Sequence, residues 1–322
     1  MMVACIRERR NRPSLILGVV LALAVVCHSP AEDESGDLKP LLLDVGFTEY
    51  SFLGMNRNDT EVAFKVFSET AAPKYGYDVT SNAYVFDDAE SFVRAIKEGT
   101  VNLVVVDSWR FESLDIHSVV TPYFVPSEQG NVGKRYVLLT RRGSGLDKIE
   151  DLRGKSLVVA EIVNASLANS WLKTLFLSNG FGAPNEFFGQ IVTADKPVTT
   201  VLPVFFGTVD ACVVEKSGFD VMSELNPQVG NELQIVSASV AYVDMIICLR
   251  NDGWPSAQTK ADLVDALSTL HTEPAGFQIL TLFKTSRLVP FEDAHLESVK
   301  KLRLAYRASL EKYSLDSQTA GD

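Results

Sequence analysis

A nine-residue pattern occurs twice in the chain. Residues 99–107 read GTVNLVVVD, and they align without gaps on residues 207–215, which read GTVDACVVE. Each copy follows a predicted helix, continues as an apolar run rich in β-branched residues and ends in a carboxylate. Such runs are typical of strands that are buried on both faces of a parallel sheet. The two copies therefore predict two similar lobes, each with its own sheet.

Strand and helix patterns alternate around both copies. Strands are predicted over residues 39–45, 77–85, 101–106, 136–140, 156–160, 188–193, 209–214 and 245–249. Helices are predicted over residues 58–73, 89–98, 166–178 and 198–206, and then over 257–271, 275–285 and 292–313. This alternation indicates an α/β fold, in which ligands bind outside the carboxyl ends of the parallel strands.

The first 31 residues have the pattern of a secretory signal peptide. Four arginines lie between residues 7 and 12, and an apolar run of 13 residues follows at positions 15–27. That run is too short for a membrane-spanning helix, which needs about 20 residues. Cleavage after Ala31 and lipidation at Cys27 both fit the segment. We therefore expect an extracytoplasmic or periplasmic protein, attached as a lipoprotein in the second case.

Charge and cysteine content exclude two classes of protein. The formal charge is −11, and removal of residues 1–31, whose net charge is +3, takes it to −14. Binding of nucleic acid requires a basic surface, so we expect no nucleic-acid partner. Four cysteines are too few for a disulfide scaffold. Cys212 and Cys248 lie in apolar runs beyond the signal peptide. The sequence leaves open whether they form a disulfide or stay two buried thiols.

The sequence carries no pattern that indicates catalysis. Beyond the signal peptide the histidines are His117, His271 and His295, and they lack the spacing of metal ligands. The chain contains no Gly-x-Ser-x-Gly elbow, no P-loop and no His-Glu-x-x-His pattern. We therefore expect a protein that is not an enzyme and that holds no cofactor or metal.

Four stretches in order resemble the phosphate/phosphite/phosphonate class of ABC-transporter substrate-binding proteins. They cover residues 64–77, 87–109, 152–159 and 206–211. The most specific is Leu152-Arg153-Gly154-Lys155 followed by a strand. The resemblance implies the type 2 periplasmic-binding fold, with two α/β lobes joined by crossover strands and a ligand cleft between them. It also implies an exported protein that captures a small anionic solute, a phosphate- or phosphonate-like oxyanion, and docks on a membrane permease.

The predicted layout follows from this resemblance. The signal peptide covers residues 1–31, the first lobe 39–134 with 250–314 returning to it, the second lobe 135–249, and a disordered tail 315–322. The crossover strands lie near residues 136–140 and 245–249, and the protein is expected to be a monomer. Two alternatives stay open: a ligand-sensing or interaction module of the same fold, and a binding protein for a carboxylate or amino-acid-like solute.

Predicted helix starts supply the first candidate ligand-binding residues. Free N–H groups and the helix dipole favour an anion there. The family's oxyanion-binding turn falls near Asn164 and Ser166, and a second helix start includes Thr60. Thr60 and Ser166 also fit as simple helix caps. The family's histidine falls at Lys196, which fits equally as a solvated surface lysine.

Aromatic and acidic residues supply the other candidates. Phe47 and Tyr50 follow the first strand, and Trp109 follows the strand over 101–106, so all three are candidates for the walls of a cleft. Trp109 fits equally as cover for a lobe core. Glu215, like Asp107, ends one copy of the nine-residue pattern; each could accept from ligand hydroxyls or amines, or act as a structural cap.

Overall fold

The computed structural model describes residues 38–49, 51, 57–70, 72–160 and 167–319. The predicted signal peptide lies outside these residues. Both sheets described below lie in one unit, which spans residues 37–322.

Twelve strands are found in the described part of the chain. They are β1 (Lys39–Thr48), β2 (Tyr77–Phe86), β3 (Leu103–Asp107), β4 (Val120–Glu128), β5 (Asn131–Val132), β6 (Tyr136–Arg141), β7 (Ser156–Ala160), β8 (Gln190–Ala194), β9 (Ala211–Glu215), β10 (Leu233–Ala238), β11 (Met245–Arg250) and β12 (Arg287–Pro290).

The helices of the described residues alternate with these strands. They are α1 (Arg57–Thr70), α2 (Ala89–Glu98), α3 (Ser108–Phe111), α4 (Leu167–Ser178), α5 (Pro184–Phe187), α6 (Pro197–Phe205), α7 (Lys216–Leu225), α8 (Pro227–Glu232), α9 (Ala257–Ser268), α10 (Pro274–Leu282) and α11 (Glu297–Thr319). Single 3₁₀ turns lie at Ala72–Tyr75, Ile149–Leu152, Leu270–Thr272 and Asp293–Leu296.

Local sequence sets the bounds of α2, which has the bounds that the sequence predicts. Asp88 caps its start, accepting a hydrogen bond from the backbone N–H of Ser91 at 2.8 Å. Gly99 ends it with φ of 82°, in the left-handed region that favours glycine. Phe92 and Ile96, four residues apart, bury one face of the helix against the first sheet.

The first sheet has the strand order β12-β4-β11-β3-β1-β2, and β5 pairs with β4. β1 is parallel to both β2 and β3, and Phe47 lies opposite Val105. β11 is antiparallel to β3, with Met245 opposite Asp107. α2 and α3 pack on one face of this sheet, and α9 and α10 pack on the other side. We call this sheet with these helices the first lobe.

The second sheet repeats the topology of the first. Its order is β10-β6-β9-β7-β8, with β7 parallel to β8 and β9 and with β6 antiparallel to β9. Tyr136 of β6 lies opposite Glu215 of β9, as Met245 lies opposite Asp107 in the first sheet. α4 and α5 cover one face, and α6, α7 and α8 cover the other. We call this sheet with these helices the second lobe; the prediction of an α/β fold with two sheets is confirmed.

Two segments cross between the sheets, and they pair with each other. Residues 133–135 lead from the first sheet to β6, and residues 239–244 lead from β10 to β11. The backbones of Lys134 and Tyr242 exchange two hydrogen bonds, of 2.7 and 2.9 Å. β11 lies between β3 and β4, so residues 245–249 belong to the first sheet, whereas the sequence placed them in the second lobe.

The last helix packs against the second lobe. Leu296, just before α11, is buried among first-lobe residues, but Val299 and Leu302 are buried in the cluster that contains α4. The prediction that residues 250–314 all return to the first lobe therefore differs from the structure at α11. The predicted tail over 315–322 also differs, because α11 continues to Thr319. Residues 297–319 contain no glycine or proline to end the helix earlier.

The two cysteines beyond the signal peptide are free thiols. Cys212 is buried in the second lobe and Cys248 in the first, in separate apolar clusters. Burial in apolar surroundings raises the pKa of each thiol.

Among the described helices, none combines the length and the apolar character that crossing a membrane requires.

Candidate ligand-binding site

The carboxylate that ends β3 is buried at the junction of the lobes. Asp107 Oδ1 accepts from the backbone N–H of Arg110 at 2.8 Å, and Oδ2 accepts from Arg110 Nη1 at 3.1 Å. Thr48 Oγ1, at the end of β1, lies 3.5 Å from the same Oδ2. Burial raises the pKa of the Asp107 carboxyl, and its hydrogen bonds with Arg110 act in the opposite direction. Asp107 is thus the N-cap of α3 and a fixed charge at the ends of two strands.

An ion pair fastens the two crossing segments beside this carboxylate. Lys134 Nζ lies 2.9 Å from Asp244 Oδ2. The Asp244 carboxylate, and then that of Glu215, raise the pKa of the Lys134 ammonium group. Ser108 donates its backbone N–H to the carbonyl oxygen of Asp244 at 2.9 Å. The first lobe is therefore tied to the crossing segments through Ser108, and the second lobe through Lys216, whose backbone N–H donates to the carbonyl oxygen of Arg135 at 2.8 Å.

Close backbone packing constrains the first crossing segment. Gly133 has φ of 85°, and a Cβ atom built there would lie 2.8 Å from the carbonyl oxygen of Tyr242. A side chain does not fit at this position, in conformation or in space. The chain can thus pass between the lobes in this way only because residue 133 is a glycine.

The carboxylate that ends β9 holds the equivalent place in the second lobe. Glu215 is half-buried and accepts a hydrogen bond from Ser217 Oγ at 2.7 Å. The next residue, Lys216, forms an ion pair of 2.6 Å with Asp220 in the first turns of α7. Glu215 retains acceptor capacity, because a carboxylate offers about four lone-pair sites.

A cavity of about 710 Å³ lies beside these groups and takes its lining from both lobes and both crossing segments. Its interior is formed by apolar side chains of the first lobe: Leu43, Phe47, Leu103, Val105, Ile247, Leu263, Leu267, Leu270, Ile279, Leu280, Phe283 and Leu288. Charged residues also line it: Glu128, Lys134, Arg135, Glu215, Lys216, Asp220, Glu224, Asp244 and Lys284. Its volume lies within the roughly 300–1,000 Å³ that small-molecule sites occupy.

Among the predicted site residues that the structure describes, two line this cavity. Phe47 is fully buried in β1 and stacks on Phe283, with ring centroids 5.7 Å apart. Glu215 lines the cavity from the end of β9. The fold therefore brings one aromatic and one acidic candidate to the same cavity. Phe47 is part of an apolar core within β1, whereas the sequence predicted that it follows the strand.

Trp109 is placed against the last helix. Its ring lies 5.7 Å from that of Tyr306 and 4.9 Å from the guanidinium carbon of Arg303. Arg303 Nη1 also donates to the Trp109 carbonyl oxygen at 2.7 Å. These contacts match the alternative in which Trp109 covers a core, and its role in ligand binding stays a prediction.

The other candidates are farther from this cavity or are not described. Lys196 is exposed and is the N-cap residue of α6, and it is not among the residues that line the cavity. α1 begins at Arg57, three residues before Thr60, so Thr60 lies inside the first turn and not at the cap position that the sequence predicts; its side chain is not described. Tyr50, Asn164 and Ser166 lie outside the described residues.

Sequence reasoning missed the charged residues of the crossing segments. Lys134 and Arg135 directly precede the predicted strand over 136–140, and Asp244 directly precedes the one over 245–249. These residues could have been found from their position, because each is a charged residue directly before a predicted crossover strand. In the described ranges, no group of three or more His, Cys, Asp or Glu side chains is placed to hold a metal ion.

Fold and site together define a two-lobed α/β protein with a cavity at the lobe junction, as in solute-binding proteins. A family model described as "ABC transporter, phosphonate, periplasmic substrate-binding protein" matches residues 58–296. The chain belongs to this family and is therefore a solute-binding protein. No curated protein gives a significant match.

Solved structures support the fold. A protein from Xanthomonas citri bound to chloride is 14% identical with a TM-score of 0.60, over 84% of this chain and 99% of that one. A binding-protein component of an ABC phosphonate transporter from Pseudomonas aeruginosa is 16% identical with a TM-score of 0.57, over 85% and 89%. PhnD1 from Prochlorococcus marinus, in complex with methylphosphonate, is 15% identical with a TM-score of 0.53, over 81% and 96%. The type 2 periplasmic-binding fold is thereby confirmed.

Proposed function

We propose that this protein is exported, captures a small phosphonate-like oxyanion between its lobes and delivers it, as a monomer, to an ABC permease in the membrane. One observation carries the proposal: the cavity of about 710 Å³ is lined from both lobes and both crossing segments, in a chain of the phosphonate-binding family. A ligand that contacts both lobes at once favours their closed arrangement, because its binding free energy is larger there.

The charges around the cavity favour an oxyanion that also carries a hydrogen-bond donor. Lys134 and Lys216 are each paired with a carboxylate. Arg135 and Lys284 form no ion pair with any described residue, so their charges are available to an anion. Glu215 would repel a bare oxyanion but accept from an ammonium or hydroxyl group of the ligand. We therefore expect a ligand such as 2-aminoethylphosphonate to bind more tightly than inorganic phosphate.

The helix starts are the proposed donors for the oxyanion. α4 begins at Leu167, directly after Ser166, and α1 begins at Arg57. N–H groups at such starts lack partners within their helix and carry partial positive charge. Ser166 and Asn164, and Thr60 from the other lobe, keep the roles that the sequence predicts for them.

Export rests on residues 1–31 and on the family, whose periplasmic binding proteins act outside the cytoplasm. The mass of the purified mature protein distinguishes the two processing routes. A chain that starts at Glu32 indicates cleavage, and a lipid-modified chain that starts at Cys27 indicates a lipoprotein.

A thermal-shift titration of the mature protein tests the ligand class. The probes are inorganic phosphate, methylphosphonate, 2-aminoethylphosphonate and, as non-phosphorus anions, acetate and glutamate. A ligand that binds only the folded state raises the melting temperature with the logarithm of its excess over Kd. We expect a rise with the phosphonates; a rise with acetate or glutamate alone, or with none of the probes, would contradict the proposal.

Ser166→Ala tests the helix start, and Ser178→Ala at the exposed end of the same helix is its matched control. Loss of a hydrogen bond to a charged group weakens binding about tenfold or more. We expect that loss for Ser166→Ala only, with both variants melting near the wild-type temperature when no ligand is present. Equal affinities in the two variants would remove Ser166 from the site.

A further inference from the structure

We infer that the ligand of this cavity is amphiphilic: a phosphonate or phosphate monoester whose substituent is an apolar chain or ring that enters the first lobe. This inference rests on the proposed function and deepens it. A methylphosphonate ion has five heavy atoms, which need about 150 Å³ if each takes the share of one water molecule. The cavity measures about 710 Å³, so an ion of that size leaves most of it empty.

Part of the cavity lining is apolar, and it comes from several elements of the first lobe. Val105 of β3 lines the cavity from the sheet, Leu263 and Leu267 of α9 line it from the opposite side, and Leu280 of α10 closes a further side. Each of these four side chains is at most 9% exposed. Water gains no hydrogen bonds from such walls, and cavities of this kind bind apolar groups.

Charged side chains line the cavity as well, so it offers contacts to a polar head in addition to an apolar substituent. Lys284 lies directly beyond α10, two residues from Leu282, and Arg135 lies directly before β6. Both side chains are exposed, and neither forms an ion pair with a described residue. The backbone of Lys284 has φ of 49°, which is uncommon for a residue with a side chain. A ligand with a negatively charged head and an apolar tail matches a lining that contains both kinds of side chain.

A series of n-alkylphosphonates from methyl to octyl tests the inference on the mature protein. Burial of each added methylene is expected to lower Kd about fourfold. Octanol, which has the chain without the oxyanion, serves as the control for the head and should bind at least a hundredfold more weakly than octylphosphonate. Octanol that binds as tightly as octylphosphonate would overturn the inference, because the head would then contribute nothing.

Leu267→Trp tests where the alkyl chain of the ligand lies. The larger side chain occupies part of the cavity, so octylphosphonate should lose at least tenfold in affinity, while methylphosphonate keeps its Kd within twofold. Ala261→Trp, on the exposed face of the same helix, is the matched control and should change neither. Leu280→Trp blocks the cavity from α10 and gives an independent measurement if Leu267→Trp does not fold. If Leu267→Trp or Leu280→Trp folds and binds octylphosphonate as tightly as the wild type does, the inference is overturned.

The two proposals fail in different ways. If no phosphonate of any length binds, and phosphate and 2-aminoethylphosphonate do not bind either, the proposed function is wrong. If methylphosphonate or 2-aminoethylphosphonate binds and affinity stays flat or falls with chain length, the proposed function stands and the amphiphilic ligand is overturned.

Discussion

At the residue scale, the lobe junction depends on an ion pair whose two residues come from distant parts of the chain. Lys134 and Asp244 are 110 residues apart in sequence and 2.9 Å apart in space. Asp107, in contrast, has its partner Arg110 three residues away. The sequence singled out Asp107 because it ends a strand, but it could not show that this carboxylate is buried. Burial is decided by β11, which is placed next to β3 only in the folded chain.

Asp107→Asn tests that burial through pH. The raised pKa of Asp107 means that the folded state binds a proton more tightly than the unfolded state, so the folded wild type gains stability as pH falls towards the ordinary aspartate value of about 3.9. The free energy of unfolding of the wild type should therefore rise relative to Asp107→Asn between pH 7 and pH 4. Urea unfolding of both proteins across this range measures it.

Asp88→Asn is the control with the opposite sign. The exposed Asp88 caps α2, and hydrogen bonds from Ser91 lower the pKa of its carboxyl. Its contribution is present above the ordinary pKa and is lost as pH falls through the lowered value. The wild type should therefore lose stability relative to Asp88→Asn below about pH 4. The same slope for both variants would contradict the burial of Asp107.

At the scale of elements, most long helices and the central strands were predicted well because their patterns are local, whereas α7 and α8 were not predicted. The sequence gives α2 its cap at Asp88 and its end at Gly99, and it gives β7 its bounds through an unbroken apolar run. β4, β10 and β12 were missed. β4 contains Pro122 and Pro126, which are typical of turns and hide the strand pattern of the sequence. β12 has only four residues, too few to show a strand pattern. Pairing with neighbours makes these segments strands.

Gly133→Ala tests the crossing segment. The alanine must adopt φ of 85° and place its Cβ against the carbonyl oxygen of Tyr242, so we expect a loss of about 3 kcal/mol in the free energy of unfolding. Gly130→Ala is the matched control, because residue 130 has φ of 84° but no atom within 4 Å of the built Cβ. It should lose only about 1 kcal/mol. Equal losses would show that the contact with Tyr242 imposes no constraint.

At the scale of the whole molecule, the last helix connects the two lobes in addition to the two crossing segments. Leu296 is buried among residues of the first lobe, and Val299 and Leu302 are buried in the second. Trp109 of the first lobe packs on the same helix through Arg303 and Tyr306. An element shared by two lobes makes their unfolding cooperative, because neither core can open without exposing part of the other.

The two buried thiols report on this cooperativity. Cys212 and Cys248 lie in different lobes, so each reports the opening of one core. In increasing urea, both should become reactive towards a thiol reagent at the same denaturant concentration, as measured for each cysteine peptide by mass spectrometry. If the free energies of opening at the two cysteines differ by more than about 1 kcal/mol, the lobes unfold independently.

The sequence by itself determined the α/β class, the two similar sheets, the family and the residues that end β3 and β9, because each depends on local patterns or on their order along the chain. Only the tertiary structure decided that β11 joins the first sheet, that α11 packs on the second lobe, that Trp109 lies beneath α11, and that an apolar cavity borders the charged junction. The reason is physical: an apolar stripe shows that a face will be buried, but what it is buried against depends on which elements from elsewhere in the chain fill the space beside it.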